Sequence, residues 1–184
     1  TSSLGLRDRL FIDDTAVSPF LMDLRARGIE QAIALSTCDR VEVLAFHEDV
    51  ASASQIILER LALFGGLATE ELVGQTYTLN NEVAIDHVFR VAASLDSLVI
   101  GEPHVLGQAK AAFRLARDVN MVGPELDSLI QASFSAAKRV FSETAVGKGP
   151  VSIAAVAVQL AEDLLGDLKQ HKAVIIGSGE MGQL

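Results

Sequence analysis

Two short runs of strand-forming residues, separated by a polar turn, constrain the fold of this chain more than any other feature of its sequence. Gln31 to Leu35 (QAIAL) is short and apolar, and Val41 to Phe46 (VEVLAF) is rich in residues that favour β-strands. Residues 36–40 (STCDR) form the polar turn between them. A third strand candidate is Thr76 to Leu79. Together these runs predict a small antiparallel sheet.

The rest of the chain has mainly the residue spacing of amphipathic helices. The candidate helices span residues 18–27, 50–63, 82–98, 104–119, 125–145 and 151–168. Ser18 and Pro19 suit the start of the first helix, and Gly28 suits its end. Residues 147–150 (GKGP) predict a linker, because two glycines and a proline do not continue a helix. A small sheet followed by a helical layer is typical of an α+β domain.

The composition excludes several classes of protein. Of the 184 residues, 49% are apolar and 21% are charged, which excludes intrinsic disorder. The most apolar stretch, Val151 to Ala161, is far shorter than the ~20 residues of a membrane-spanning helix. The single cysteine excludes a disulfide framework and a cysteine-rich zinc site. Because no secretory leader is visible, we expect a cytoplasmic protein. The chain begins at Thr1 and ends just after a glycine-rich turn, so we expect a piece of a longer protein.

The glycine-rich turn lies within residues 172–184 (KAVIIGSGEMGQL). Gly177, Gly179 and Gly182 fit the pattern G-x-G-x-x-G directly after a predicted buried strand at 173–176. In dinucleotide-binding domains these glycines allow a tight turn, a close approach to the pyrophosphate and the packing of helix on strand. The following helix N-terminus then receives the anion. The motif predicts the start of a dinucleotide-binding domain, and an ordinary glycine-rich loop is the alternative.

Charge is distributed unevenly along the chain. The net charge of −9 argues against a general nucleic-acid binder. Residues 101–150, however, carry six basic and five acidic residues. Three basic residues recur at i, i+4 and i+7, which places Lys110, Arg114 and Arg117 on one helix face. A second, smaller basic cluster follows at residues 138–139. A solvated helix face and a contact with a phosphate backbone are both consistent with this pattern.

Cys38 is the only thiol of the chain and lies in the polar turn. A lone cysteine is often a small buried apolar residue, but Thr37, Asp39 and Arg40 are poor core residues. We therefore expect the thiol near the surface of a cleft. Arg40 would favour the nucleophilic thiolate, whereas Asp39 would raise the pKa of the thiol. His87, on the apolar side of its helix, is either a core residue or an acid–base partner of Cys38.

Four segments resemble the glutamyl-tRNA reductases, in the order in which that family has them. They are residues 36–43 (STCDRVEV), 95–108 (LDSLVIGEPHVLGQ), 138–144 (KRVFSET) and 176–184 (IGSGEMGQL). The family has catalytic, NADPH-binding and dimerisation domains. The resemblance implies that residues 1–148 form the catalytic, glutamyl-tRNA-binding domain and that residues 149–184 begin the NADPH domain. The expected fold is therefore α+β, with a small antiparallel sheet and a helical layer, followed by the truncated start of a Rossmann-type α/β domain.

The resemblance also implies a reaction. Cys38 matches the family's nucleophile, which attacks the ester of glutamyl-tRNA and forms a thioester. Hydride from NADPH then releases glutamate-1-semialdehyde, in the first step of the five-carbon route to tetrapyrroles. Thr37 and Arg40 match residues that line the glutamate pocket, where Arg40 would hold a carboxylate. Ser97 and Glu102 lie in the motif next to that pocket.

The remaining matches concern acid–base chemistry, the cofactor and the partners. His87 matches a family histidine that assists the chemistry. The implied partners are glutamyl-tRNA and the downstream aminomutase, and the complete protein would be a homodimer while this chain alone would be a monomer. The chain differs from the usual family residues at four positions. It has Asp39 where the family has asparagine, Ser94 where the family has glycine, His104 where the family has glutamine, and Phe141 where the family has arginine. The cofactor turn matches residues Gly177, Ser178, Gly179, Glu180, Met181 and Gly182.

Two other functions stay open on the residues alone. One is a non-covalent NAD(P)-dependent dehydrogenase of a small molecule, in which Cys38 has no chemical role. The other is a non-enzymatic module that binds tRNA. Replacing Cys38 discriminates among the three, because only the reductase needs its sulfur for acyl transfer.

Overall fold

The computed structural model describes residues 4–37, 40–97, 100–101, 103–146, 153–172 and 174. In chain order its elements are α1 (Leu4–Leu10), α2 (Asp14–Arg25), β1 (Gln31–Ser36), β2 (Val41–Phe46), α3 (Val50–Phe64), α4 (Asn81–Ala92), α5 (Pro103–Asp118), α6 (Pro124–Glu143) and α7 (Ile153–Leu165). Short 3₁₀ turns lie at Thr69–Leu72 and Leu168–Gln170. Among these helices none is long and apolar enough to cross a lipid bilayer. The described part is mostly helical with a small sheet, as the expected α+β domain requires.

The sheet is the predicted hairpin. β1 and β2 pair in antiparallel fashion, with Ser36 opposite Val41. The connection is closed by a hydrogen bond that the Thr37 N–H donates to the Arg40 carbonyl at 2.8 Å. The bounds of both strands agree with the prediction to within one residue. Thr37 and Arg40 therefore lie together at one end of the hairpin.

The third strand predicted at Thr76–Leu79 is wrong. Residues 76–80 have no regular secondary structure, and the sheet of the described residues consists of β1 and β2. Tyr77 is 70% exposed, so this segment does not bury one face as a strand of a packed sheet does. The Thr76 hydroxyl donates instead to the carbonyl of Leu72 in the preceding 3₁₀ turn. Strand propensity without a partner strand does not produce a strand.

The core lies between the sheet and the helices α2 and α5, which pack on β1 and on each other. Its buried residues from these elements include Val17, Phe20, Leu21, Leu24, Ala32, Ile33, Ala34, Ala112, Phe113 and Ala116. The Ala32 N–H donates to the Met121 carbonyl at 2.9 Å and so ties the outer edge of β1 to the α5–α6 connection. Helix α6 contacts both β2 and α4. This packing brings α4 beside the hairpin.

Helix α2 begins four residues earlier than the sequence predicts. Asp13, and not Ser18, is its N-cap, because the Asp13 Oδ1 accepts hydrogen bonds from the N–H groups of Thr15 and Ala16 at 2.9 and 3.0 Å. Pro19 consequently lies inside the helix rather than in its first turn. The earlier start extends the apolar stripe of the helix back to Val17, which is buried.

The N-cap of α2 is expected to make stability depend on pH. Hydrogen bonds from the Thr15 hydroxyl, the Ala16 N–H and the Thr15 N–H hold the pKa of Asp13 below its usual value. A lowered pKa in the folded state stabilises the fold above the unfolded pKa, and this contribution is lost as pH falls through the folded value. Asp13→Ala should lower the Tm by a few degrees at pH 7.

The Tm difference between wild type and Asp13→Ala should narrow as the pH falls below about 4. Circular dichroism melts at several pH values measure this difference. Asp14→Ala is the control, because the neighbouring Asp14 carboxylate makes no comparable cap in the described structure. A difference that stays constant down to pH 2 would contradict the role of the ionised cap.

Helix α4 ends six residues earlier than predicted, at Ala92 rather than at residue 98. Ser94 adopts a φ of +53°, its N–H donates to Val91, and the Leu95 N–H donates to Arg90. This pair of bonds is a Schellman ending, in which the left-handed residue reverses the chain. Glycine is favoured at that position, which accounts for the glycine that the resembled family has where this chain has Ser94. The reversal turns the α4–α5 loop back toward the hairpin.

The last part of the chain is described only in part. Helix α7 ends at Leu165, where Gly166 has a φ of +74°, so the helix predicted to reach residue 168 is shorter. The predicted linker at 147–150 lies outside the described residues. The same holds for the glycine-rich turn and for the predicted strand at 173–176, of which the structure describes only the exposed Val174. The expected Rossmann-type start therefore stays a prediction.

Candidate functional site

The hairpin connection is the first component of the site. Thr37 is buried, and its hydroxyl accepts the Arg40 N–H at 3.2 Å while its own N–H donates to the Arg40 carbonyl. These two bonds fix the residues that flank Cys38 and Asp39 in the sequence. Cys38 and Asp39 themselves lie outside the described residues, so the reactive thiol stays a prediction. Thr37, predicted to line a pocket, has a clear structural role in closing the connection.

Arg40 lies between two carboxylates. Its Nη1 donates to Glu42 Oε1 at 3.1 Å and to Asp96 Oδ2 at 3.2 Å, and its Nη2 donates to the Asp96 carbonyl. The Arg40 side chain is 13% exposed, against 23% for Glu42 and 42% for Asp96. Charge-assisted hydrogen bonds in a partly buried place hold the planar guanidinium in one orientation. The structure thus shows Arg40 binding carboxylates of its own chain.

His87 joins the same two carboxylates. Its Nε2 lies 3.0 Å from Glu42 Oε1, and its Nδ1 lies 3.8 Å from Asp96 Oδ2. Because a carboxylate only accepts hydrogen bonds, Nε2 carries the hydrogen, and in a neutral ring Nδ1 is then the proton acceptor. The Tyr77 ring meets the imidazole edge to face at 6.3 Å. His87 is therefore held in a polar cluster and is not simply a residue of the apolar core.

The four side chains Arg40, Glu42, His87 and Asp96, here called the polar cluster, come from three segments of the chain. The first segment is β2 with the residue before it, which supply Glu42 and Arg40. Helix α4 supplies His87, and the α4–α5 loop supplies Asp96. Sequence reasoning missed Glu42 and Asp96. Strand periodicity places Glu42, two residues after Arg40, on the same face. Nothing in the local sequence marks Asp96, because its position depends on the reversal at Ser94.

Ser97 is the other predicted pocket residue that the structure describes. Its side-chain oxygen is buried, and it has no hydrogen-bond partner within the described residues. An unsatisfied buried hydroxyl costs about 1–3 kcal/mol, which a bound ligand can recover. Glu102 and the six predicted cofactor residues at 177–182 lie outside the described residues. The structure therefore brings Thr37, Arg40, His87 and Ser97 into neighbouring segments and leaves the other predicted site residues untested.

A cleft of about 550 Å³ opens beside the end of β1. It is bordered by Ser36, by the start of α2 near Asp13, and by Gly107 and Gln108 of α5. The Ser36 hydroxyl accepts the Ile12 N–H at 3.2 Å and so holds the start of α2 against this strand. Since Ser36 directly precedes Thr37, the cleft reaches the strand end from which the hairpin connection begins.

The fold and the site together define a small α+β domain with a guanidinium, an imidazole and two carboxylates gathered at one end of a hairpin. The model of the family "Glutamyl-tRNAGlu reductase, N-terminal domain" matches residues 1–144. The chain belongs to this family.

Curated relatives agree with that assignment over the whole chain. A glutamyl-tRNA reductase of Rhodospirillum rubrum is 46% identical over 184 residues, which are 100% of this chain and 43% of that protein. One of Pseudomonas syringae pv. syringae is 42% identical over 98% of this chain and 42% of its own length. One of Marinomonas sp. is 37% identical over 100% of this chain and 44% of its own length. The chain spans less than half the length of these relatives.

Proposed function

We propose that this chain forms the part of a glutamyl-tRNA reductase that accepts the glutamyl group, and that the complete protein reduces this group to glutamate-1-semialdehyde, the first step of the five-carbon route to tetrapyrroles. Membership of the family and the names of the relatives support the proposal. In this proposal the chain has two parts: residues 1–148 form the catalytic domain, and residues 149–184 begin the cofactor domain. The end of the family match at residue 144 is consistent with that boundary.

The polar cluster is the observation that carries the proposal. A glutamyl ester presents a side-chain carboxylate, an α-ammonium group and a carbonyl, so its pocket needs both signs of charge. The cluster supplies a guanidinium in Arg40 and a carboxylate in Asp96, whose side chain is the most exposed of the three charged groups. Both lie beside the hairpin connection that contains Cys38 in the sequence. We assign Arg40 to the substrate carboxylate, which would take the place of the more exposed Asp96 side chain at Nη1. We assign Ser97, with its unsatisfied hydroxyl, to a further hydrogen bond.

The proposed chemistry is an acyl transfer to Cys38. Its sulfur forms a bond to the ester carbonyl carbon, the bond from that carbon to the ribose oxygen of the tRNA breaks, and the ribose oxygen leaves with a proton. His87 accepts the proton of the thiol at Nδ1 and returns it to the leaving oxygen. Its orientation is held by Glu42 through the 3.0 Å contact at Nε2. The product is a thioester of Cys38 and a free tRNA.

The cofactor part of the proposal rests on the sequence motif alone. Residues 177–182 would bind NADPH, which supplies the hydride that releases the aldehyde. Glu102, next to the pocket motif, is kept as a proposed substrate contact. The aminomutase that consumes the aldehyde and a second copy of the complete protein are the further proposed partners.

The test is the glutamyl adduct itself. The complete protein, mixed with glutamyl-tRNA in the absence of NADPH and quenched in acid, should carry one glutamyl group on Cys38 by peptide mass spectrometry. Cys38→Ser should carry none while keeping the wild-type circular dichroism spectrum and Tm. Adding NADPH should remove the adduct from wild type.

Three results would contradict this function. Full reductase activity in Cys38→Ser would exclude the thioester. Reduction of a free small molecule without any need for tRNA would favour the non-covalent dehydrogenase. Binding of tRNA without turnover of any charged tRNA would leave only the binding module.

A further inference from the structure

We infer that one exposed face of α5 and α6 binds the phosphate backbone of the tRNA, an inference that rests on the proposed function because that function supplies the RNA. This face, called the basic face below, consists of Lys110, Arg114 and Arg117 on α5 and Lys138 on α6. All four residues are exposed. From the sequence alone, a solvated helix face was the simpler explanation of the three residues of α5. The structure adds three observations that favour the phosphate contact.

The two helices form one continuous surface at this face. Phe113 of α5 and Phe134 of α6 pack edge to face at 6.0 Å. The Lys110 Nζ lies 5.8 Å from the centre of the Phe134 ring, and the Arg117 guanidinium lies 5.7 Å from that of Phe113. Such contacts hold a cation over a ring while its outer side still faces water. Lys138 lies one helical turn after Phe134, so it extends the same surface.

The cations of the basic face are not neutralised. Two other exposed arginines of the described structure do pair with carboxylates, Arg27 with Asp23 and Arg139 with Glu143. None of the four cations of the basic face makes an ion pair with a carboxylate of the described residues. This is notable in a chain that has 24 acidic and 15 basic residues. The face therefore keeps a local positive potential on an acidic protein.

The dimensions and the position of the face suit a nucleic acid. Lys110 to Arg117 spans about 10 Å along the helix axis, a length over which one strand of a duplex carries about three phosphates. Asp118 and Asp127 both lie near the α5–α6 connection, so these two carboxylates are remote from the end of the face that holds Lys110 and Lys138. That is the end of α5 that follows the α4–α5 loop, which carries Asp96.

An acidic protein is a poorer occupant of this face. Protein interfaces depend on a few large apolar or aromatic anchors that become buried. None of the exposed large apolar side chains in the described structure lies on α5 or α6. The face therefore offers charge without an apolar anchor, which is what a phosphate backbone requires.

The test measures the binding of uncharged glutamate tRNA to the complete protein by fluorescence anisotropy at several salt concentrations. Arg114→Gln and Lys138→Gln should each lower the slope of log Kd against log salt concentration by about one unit. The double variant should bind the tRNA about tenfold or more weakly near 0.1 M salt. Arg114→Lys and Lys138→Arg keep the charge and should keep the wild-type slope. Arg27→Gln removes an exposed arginine that is already paired, and should leave the slope unchanged.

A kinetic measurement separates this inference from the proposed function. At saturating glutamyl-tRNA the double variant should still form the Cys38 adduct at the wild-type rate, with the whole defect in KM. Wild-type affinity and slope in the double variant, together with normal adduct formation, would overturn the inference and leave the function standing. A wild-type protein that forms no adduct would instead overturn the function. Tighter binding of a polyglutamate peptide than of the tRNA would assign the face to an acidic protein and overturn the inference as well.

Discussion

Gly101→Ala should lower the free energy of unfolding by about 3 kcal/mol or more, because two costs combine at this position. Gly101 has a φ of +87°, which is unfavourable for any residue with a Cβ. A Cβ placed there would also clash with the carbonyl oxygen of Val146, a backbone atom that cannot rotate away. The Gly101 N–H donates to the Ser94 carbonyl at 2.9 Å, so the strain falls on the loop that carries Asp96. We expect the polar cluster to lose its geometry and the activity of the complete protein to fall with it.

Gly107→Ala is the matched control for this prediction. Gly107 lies within α5 and an added Cβ meets no atom within 4 Å. Alanine is favoured over glycine in a helix by about 0.5–1 kcal/mol, so this variant should be more stable than wild type. Urea denaturation followed by circular dichroism gives both values. Equal stabilities for the two variants would show that the close approach of Gly101 to Val146 is not required.

Arg40→Lys should lower kcat/KM of the complete protein by about 100-fold, which corresponds to about 2.7 kcal/mol of transition-state stabilisation. The guanidinium bonds the side chains of Glu42 and Asp96 and the carbonyl of Asp96 at the same time. A lysine ammonium keeps the charge but lacks the planar fork that makes these bonds together. The loop that carries Asp96 would then lose its link to the hairpin. Steady-state kinetics with glutamyl-tRNA, alongside a Tm measurement, separates the loss of activity from a loss of stability.

Arg40→Ala extends the same prediction to stability. It leaves Glu42 and Asp96 without the cation that lies between them, so the fold should lose about 1–3 kcal/mol. Adding Glu42→Gln to Arg40→Ala should restore part of that stability, because one of the two facing charges is removed. Arg139→Ala breaks an exposed pair with Glu143 instead, and should change stability by less than about 0.5 kcal/mol. An Arg40→Lys variant with wild-type kinetics would refute the role of the fork.

The elements that could be predicted from the sequence are those whose signal lies within the element. The alternation in Val41–Phe46 and the apolar spacing of α3, α5 and α6 placed these elements to within about two residues. Burial on one face of a strand or helix is a local property of residues two, three or four apart. Helix α1 has only seven residues, too few turns to show a repeating apolar spacing, and it was not predicted.

Helix ends were predicted less well, because caps decide them. Asp13 caps α2 through hydrogen bonds to the next residues, and a second candidate at Ser18 offered the same chemistry in the sequence. Ser94 ends α4 in a left-handed conformation that glycine adopts more readily, so composition gave no warning. The strand expected at Thr76–Leu79 failed for a related reason, since a strand depends on a partner that the local sequence does not specify.

The sequence by itself determined the hairpin, the spacing of the long helices and, through its motifs, the family to which the chain belongs. Local patterns suffice there because backbone hydrogen bonding and one-sided burial repeat every two or every three to four residues. Only the tertiary structure decided that Arg40, Glu42, His87 and Asp96 meet in one cluster. These side chains are up to 56 positions apart, and their meeting depends on the packing of α4 beside the hairpin and on a single reversal at Ser94. Contacts between distant segments depend on how whole helices and strands pack together, and this packing cannot be predicted from the pattern of neighbouring residues.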